Sequence, residues 1–304
     1  MALVGHTPLV RLSRLSPRPE VAIYAKLEWY NPTGSVKDRV AAGMVLQAEA
    51  EGILAAGAHL VEPSSGNTGI ALARVARLRG YILTVLLPAN VSEERKQLLA
   101  GFGATVVETP AEEGSNGAIA RAESLAEERG YVLLHQYQNA ANPAAHYHGT
   151  GQELLEALDG ADAFVAGLGT GGTLMGVGGA LRDANPSTQV VAVEPPAGEQ
   201  VLGLRSLDEG YIPPVFDPAF VDGKILVRSE AAVLMTRRLL HEEGLFAGLS
   251  SGAAVHGALR WAERLEEGVV VTLLPDGGWK YLSTGAWTDP VDEVVERISG
   301  QLFF

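Results

Sequence analysis

Lys37 lies in the stretch Asn31-Pro32-Thr33-Gly34-Ser35-Val36-Lys37-Asp38-Arg39, between an apolar run from Val21 to Trp29 and a helical pattern from Val36 to about Glu51. Pro32 and Gly34 impose a tight turn, because proline fixes φ and glycine accepts positive φ. Ser35 then suits the N-cap, which puts Lys37 in the first helical turn beside the positive end of the helix dipole. A cation is disfavoured there. The neutral amine, a nucleophile and base, gains by comparison. The competing reading is a solvated surface lysine with Asp38 as its partner.

Three glycine-rich turns can supply what such an amine would act on. Ser64-Ser65-Gly66-Asn67-Thr68-Gly69 follows a strand and opens a helix, the position where backbone N–H groups face an anion. Two serines, an asparagine and a threonine add side-chain donors that suit a carboxylate or a phosphate; an ordinary polar turn is the alternative. Gly167-Leu168-Gly169-Thr170-Gly171-Gly172-Thr173 again joins strand to helix. Its Gly167, Gly169 and Gly172 match G-x-G-x-x-G, and Glu194 ends a later strand where a dinucleotide fold places its ribose-binding acid. An NAD-dependent oxidoreductase is therefore one reading. The hydroxyls of Thr170 and Thr173 also suit a compact terminal phosphate. Gly248-Leu249-Ser250-Ser251-Gly252 opens another helix and, by itself, reads as a cap.

The elements that must position these turns alternate along the chain. Apolar runs at His59–Glu62, Ile82–Pro88, Thr105–Glu108, Val132–His135, Ala163–Ala166, Val190–Val193 and Val269–Leu274 read as strands. Helical patterns cover Asn67–Arg79, Ser92–Phe102, Asn116–Arg129, Tyr147–Leu158, Thr173–Ala184, Ala231–Glu243 and Ala253–Leu265. Runs such as ILTVLLP and VVVTLLP are continuously apolar, as strands of a parallel sheet covered on both faces must be. The order predicts an α/β protein of two doubly wound domains with mainly parallel sheets. A polar turn cluster at Asn139–Pro143 suggests the boundary, giving a smaller domain over 34–140 and a larger, phosphate-binding one over 141–304, joined by residues 9–33.

Composition narrows the function. The 304 residues carry a formal net charge of −13, which argues against nucleic acid as a partner. Cysteine is absent, so disulfides, thiolate metal sites and a cysteine nucleophile are excluded, and a cytoplasmic setting fits. The uncharged stretch Ala163–Leu181 contains seven glycines, which speaks for strand, loop and helix of a soluble core rather than a membrane span. The histidines show no metal-ligand spacing. His146 and His148 read as structural or surface residues, and Asp276 as part of a turn.

Together the four motifs, in this order and spacing, resemble the cysteine synthases, the O-acetylserine sulfhydrylase branch of the fold-type II pyridoxal phosphate (PLP) enzymes. The likeness spans essentially the whole chain, beginning at Gly5-His6-Thr7-Pro8-Leu9. It implies that Lys37 is the Schiff-base lysine and Asn67 the partner of the cofactor's 3-hydroxyl. The loop Gly169, Thr170, Gly171, Gly172 and Thr173 would hold its phosphate, and Ser250 would face its pyridine nitrogen. Ser64, Ser65, Gly66, Thr68 and Gln136 would bind the substrate's α-carboxylate. The implied reaction is a β-replacement through α-aminoacrylate, turning an O-activated L-serine and a sulfur donor into L-cysteine. The resemblance also implies a homodimer. A non-catalytic binding protein with the same pocket is a further alternative.

The segment Gly203–Gly210, the ending Gly278–Gly285 and the tail Gly300–Phe304 resemble the branch that accepts O-phosphoserine. There an arginine at the position of Arg205 reads the substrate phosphate, the tail reaches toward the site, and sulfur can arrive on a small carrier protein. A surface ion pair with Asp208 or Glu209 is the other reading of Arg205.

Overall fold

A computed structural model describes residues 1–64, 66–91 and 93–299. The chain runs β1 (Leu9–Arg11), β2 (Val21–Leu27), α1 (Lys37–Ala50), β3 (His59–Pro63), α2 (Asn67–Arg79), β4 (Ile82–Pro88), α3 (Glu93–Gly101), β5 (Thr105–Thr109), α4 (Gly114–Arg129) and β6 (Val132–Leu133). It continues with α5 (Ala141–Ala145), a π-helical turn (His146–Gly151), α6 (Gln152–Ala157), β7 (Ala163–Gly167), α7 (Gly172–Ala184), β8 (Gln189–Glu194), β9 (Gly223–Leu226), α8 (Ser229–Glu243), α9 (Leu249–Ala262), β10 (Gly268–Leu274) and α10 (Val291–Ser299). Ser92, expected to cap α3, lies outside the described residues.

These strands form two sheets, one ordered β1-β2-β10-β7-β8-β9 and the other β5-β4-β3-β6. Every pairing is parallel except β1 with β2. The apolar runs explain this. In β7, Ala163 and Val165 enter a core shared with α8 and α9, while Phe164 and Ala166 enter a second core against α7. The small sheet does the same: Leu60 packs with α1 and α2, and Val61 with α4. A strand buried on both faces has no polar side to alternate with.

The first thirty residues lie on the large sheet. β2 pairs in parallel with β10, from Val21 opposite Gly268 to Leu27 opposite Leu274. Three elements went unread in the sequence: β1, β9 and α10. The strand expected over Val132–His135 stops at Leu133. His135 takes the left-handed φ of 57°, and its N–H donates to Glu62 Oε2 at 3.0 Å, leaving the ladder. The expected turn at Asn139–Pro143 is already helical from Ala141, and proline is tolerated there because first-turn N–H groups have no partner to lose.

Candidate active site

The carboxyl ends of β3, β7 and β10 converge on a cleft, the place where open α/β sheets bind ligands. Lys37 lines it. The turn before Lys37 closes as the sequence required: Gly34 has φ +75° and its N–H donates to the Asn31 carbonyl at 2.8 Å. The Val36 N–H donates to the Pro275 carbonyl at 2.8 Å, tying the start of α1 to the end of β10. Ser35 is not the N-cap it was expected to be: Val36 holds that position with no side-chain cap, and the Ser35 hydroxyl accepts only the Lys37 N–H, at 3.3 Å.

Burial lowers the Lys37 amine to about 8. Asp38 is not its partner. The Asp38 carboxylate accepts the N–H and hydroxyl of Thr33 at 2.9 and 2.7 Å, and among the described residues no carboxylate reaches the Lys37 amine. Behind it, Arg39 is anchored by Glu28 at 2.7 Å and Glu153 at 2.6 Å, with Lys26 on Glu153 at 2.8 Å. Burial alone would raise Glu153, but hydrogen bonds from Arg39 and Lys26 outweigh it and hold the acid at about 2. This closed network fixes the first turn of α1 without spending a counter-ion on Lys37.

Facing the lysine is the loop from β7 to α7. Gly171 has φ +86°, and the first helical bond is Met175 N–H to the Gly171 carbonyl at 3.0 Å. The first N–H groups of a helix have no carbonyl partner within it, which suits this end to an anion. The Thr170 hydroxyl accepts the Gly172 N–H at 3.3 Å and an Asn142 amide N–H at 3.0 Å. Thr173 Oγ1 lies 3.2 Å from His146 Nε2, and His146 Nδ1 lies 3.0 Å from Thr150 Oγ1. Burial, with Lys37 and Arg39 nearby, pushes His146 well below its usual range and keeps it neutral. His146 is thus a buried support for the loop, not a surface residue.

The dinucleotide reading fails at its acid. Glu194 is fully buried, pairs with Lys224 at 2.7 Å and accepts the Leu207 N–H at 3.1 Å, so it is committed elsewhere.

The turn after β3 forms the cleft's other wall. The Ser64 hydroxyl accepts the Gly69 N–H at 2.9 Å, so its oxygen caps α2. Thr68 donates to Gln136 Oε1 at 2.6 Å, and the Gln136 N–H donates to Glu62 Oε1 at 3.1 Å. Burial raises Glu62 to about 7 despite its two backbone donors. Gly66, Thr68 and Gln136 all line the cleft. Ser65 lies outside the described residues. Ser250, in the first turn of α9, also lines the cleft, and no side chain caps that helix, contrary to the expectation for Ser-Ser-Gly. Arg205 does not follow its surface-ion-pair reading either. Its guanidinium carbon sits 5.3 and 4.7 Å from the ring centres of Tyr137 and Tyr211, and it hydrogen-bonds Tyr137, while Asp208 pairs with Lys224 at 3.2 Å.

Four residues of this region were not identified from the sequence as site residues. Asn67 donates from Nδ2 to Asp276 Oδ2 at 2.7 Å, and Lys280 donates to Asn67 Oδ1 at 2.7 Å. The Tyr281 hydroxyl donates to the same Asp276 oxygen at 2.7 Å, and Arg95 hydrogen-bonds Tyr281. Asp276 is therefore a buried hub and not only a turn residue. Its place just after the last strand was the one available signal. No group of acids and histidines among the described residues can hold a metal, and no described helix is long and apolar enough to cross a membrane.

A family model described as pyridoxal-phosphate dependent enzyme matches residues 1–276. The chain belongs to that family. Cysteine synthase of Staphylococcus aureus (strain Mu50 / ATCC 700699) is 44% identical over 292 residues, covering 93% of this chain and 94% of its own. Among solved structures, an O-ureido-L-serine synthase is 42% identical with a TM-score of 0.89, covering 94% of this chain and 93% of its own. A cysteine synthase (OASS) from Entamoeba histolytica is 32% identical with a TM-score of 0.89, covering 98% and 94%. The cleft fits the cofactor: an anion cradle free of carboxylates, a desolvated amine, an amide and a hydroxyl line one cavity, matching the phosphate, aldehyde, phenolic oxygen and ring nitrogen of PLP.

Proposed function

We propose that this protein makes L-cysteine by β-replacement on an O-activated L-serine. The observation that carries it is the desolvated, carboxylate-free Lys37 amine in the same cleft as the cradle at Gly169–Thr173, in a chain so similar to the Staphylococcus aureus cysteine synthase. PLP, when bound, withdraws electrons from the substrate's Cα. The residues do the rest. The N–H groups at the start of α7, with Thr170 and Thr173, hold the phosphate; Asn67 and Ser250 orient the ring. Gly66, Thr68 and Gln136, with Ser64 and Ser65, bind the α-carboxylate. Lys37 anchors the cofactor and takes the α-proton at Nζ, for which an amine lowered to about 8 is well suited near neutral pH.

Borohydride reduction of the PLP-loaded protein, followed by peptide mapping, should label Lys37, and sulfide with an activated serine should yield cysteine. A label on another lysine would sink the assignment. O-Ureido-L-serine, the product named for one structural relative, is the competing outcome if the nucleophile is oxygen rather than sulfur.

Within this reading the substrate is O-phosphoserine. Arg205 follows the cleft-lining Leu204, and its guanidinium lies beside Tyr137, which also lines the cleft, a place from which it would read a substrate phosphate. Arg205→Ala should lower kcat/KM for O-phosphoserine by about 10- to 100-fold, the range of one charge-assisted contact, and change O-acetylserine turnover little. Equal losses with both esters would remove the phosphate-reading role. A homodimer and a small sulfur-carrier protein as donor belong to the same proposal; sedimentation and a carrier thiocarboxylate assay test them. The tail expected to reach the site, Leu302–Phe304, lies outside the described residues.

A further inference from the structure

Asn67 is held from both sides. Its Nδ2 meets a carboxylate oxygen of Asp276, which only accepts, and its Oδ1 meets the Lys280 ammonium, which only donates. A carboxamide rotated by half a turn would set N–H against ammonium and oxygen against carboxylate. The two partners therefore permit one orientation. They also leave one N–H and one lone pair of the amide unused, on a residue that lines the cleft.

We propose that Asp276 and Lys280 are positioning residues that lock the Asn67 amide in this one orientation, so that the PLP ring meets a fixed N–H donor. Both partners are far from Asn67 in the sequence, 209 and 213 residues on, and come from just after β10 and from the 3₁₀ turn Gly278–Thr284. Both are themselves anchored. Asp276 accepts a second hydrogen bond from Tyr281, and the Lys280 stem lies 3.6 Å from the space a Cβ would occupy at Gly34, in the turn that leads to Lys37. The lock thus joins the cofactor-ring residue to the turn carrying the lysine. Burial lowers Lys280 to about 8, with Asp276 and Asp38 opposing the drop and Arg95 adding to it, so below that pH the donor is charged and the lock is closed.

This inference rests on the PLP reading but not on the product being cysteine. The test is a double-mutant cycle read as PLP affinity by equilibrium dialysis and as the visible absorption of the bound cofactor across pH. Lys280→Met should raise the Kd for PLP about tenfold, the effect of one hydrogen bond to a charged group, and shift the pH midpoint of the visible band. Lys280→Arg should restore most of both. In an Asn67→Ala background Lys280→Met should add nothing further, since the residue it acts through is gone. Additive losses, or a Lys280→Met protein indistinguishable from the parent in affinity and spectrum, would overturn the lock. If Lys280→Met does not fold, Lys280→Leu, which likewise carries no donor, replaces it in the cycle and is judged by the same criteria. A protein that passes the cycle yet makes no cysteine loses only the proposed function; one that makes cysteine with no coupling loses only the lock.

Discussion

Lys37→Ala should lower cysteine formation by at least about a thousandfold, within the range that loss of a general base alone produces. The amine has no substitute, because the other lowered lysine, Lys280, is engaged behind Asn67 and does not line the cleft. Steady-state assays with either serine ester check this, and turnover within tenfold of the parent would refute it. The same substitution should also change how stability depends on pH. The folded-state pKa of Lys37, about 8, lies below its ordinary 10.5. Between those values the unfolded chain binds more protons, so the cofactor-free protein gains stability as pH rises through that window, and this group's destabilising effect is complete below 8. Lys280, also near 8, contributes with the same sign. Urea unfolding of the cofactor-free protein between pH 7.5 and 10.5 should show a rising slope, shallower but not abolished in Lys37→Ala.

Gly172→Ala should weaken PLP binding by about a hundredfold or more and destabilise the protein by about 1–3 kcal/mol, the usual cost of forcing extra volume into a packed site. A Cβ on Gly172 would overlap the Asn142 carboxamide at Oδ1. Asn142 is fully buried, and its amide nitrogen already donates to the Gln136 carbonyl at 2.9 Å and to Thr170. It cannot retreat without disturbing the cradle and the substrate wall together. Gly179 in the same helix is the contrast: its Cβ would meet Tyr147 at 3.4 Å, ordinary contact. Gly179→Ala should leave PLP affinity unchanged and, by helix propensity, stabilise by up to about 1 kcal/mol. Dialysis and thermal unfolding of the pair decide it; equal effects would show that the crowding at Gly172 is not what matters.

What could be read from the sequence was local. Parallel strands announced themselves because burial on both faces removes polar alternation, and Lys37, Asn67 and Thr170 stand where a strand gives way to a helix, and Ser250 where one helix gives way to the next, turns whose backbone chemistry is visible in a few residues. The order of the motifs then supplied their relationship. What escaped was chemistry made by distant segments meeting. Asp276, Lys280, Tyr281 and Arg95 have unremarkable neighbours in the chain, and only the fold brings Lys280 to Asn67. His135 was read as strand because its apolar predecessors continue the pattern, whereas the buried Glu62 carboxylate turns its backbone away. β9 was missed because its side chains alternate between half-buried and exposed at a sheet edge, which gives a weak periodic signal.

The pairing of β2 with β10 sets the order in which the protein can be built. The β3–β6 sheet is assembled from one continuous run of chain, so its contacts can close while the ribosome is still working. β2 emerges early yet must wait for β10, near the other end of the chain, before its second edge is covered. Such a long-delayed contact slows completion of the large sheet and leaves an apolar strand edge in need of shelter during synthesis. Because the Val36 N–H is fastened to Pro275, just beyond β10, the lysine turn takes its final shape only when that last strand arrives. The turn that carries Lys37 thus depends on a strand made long after it.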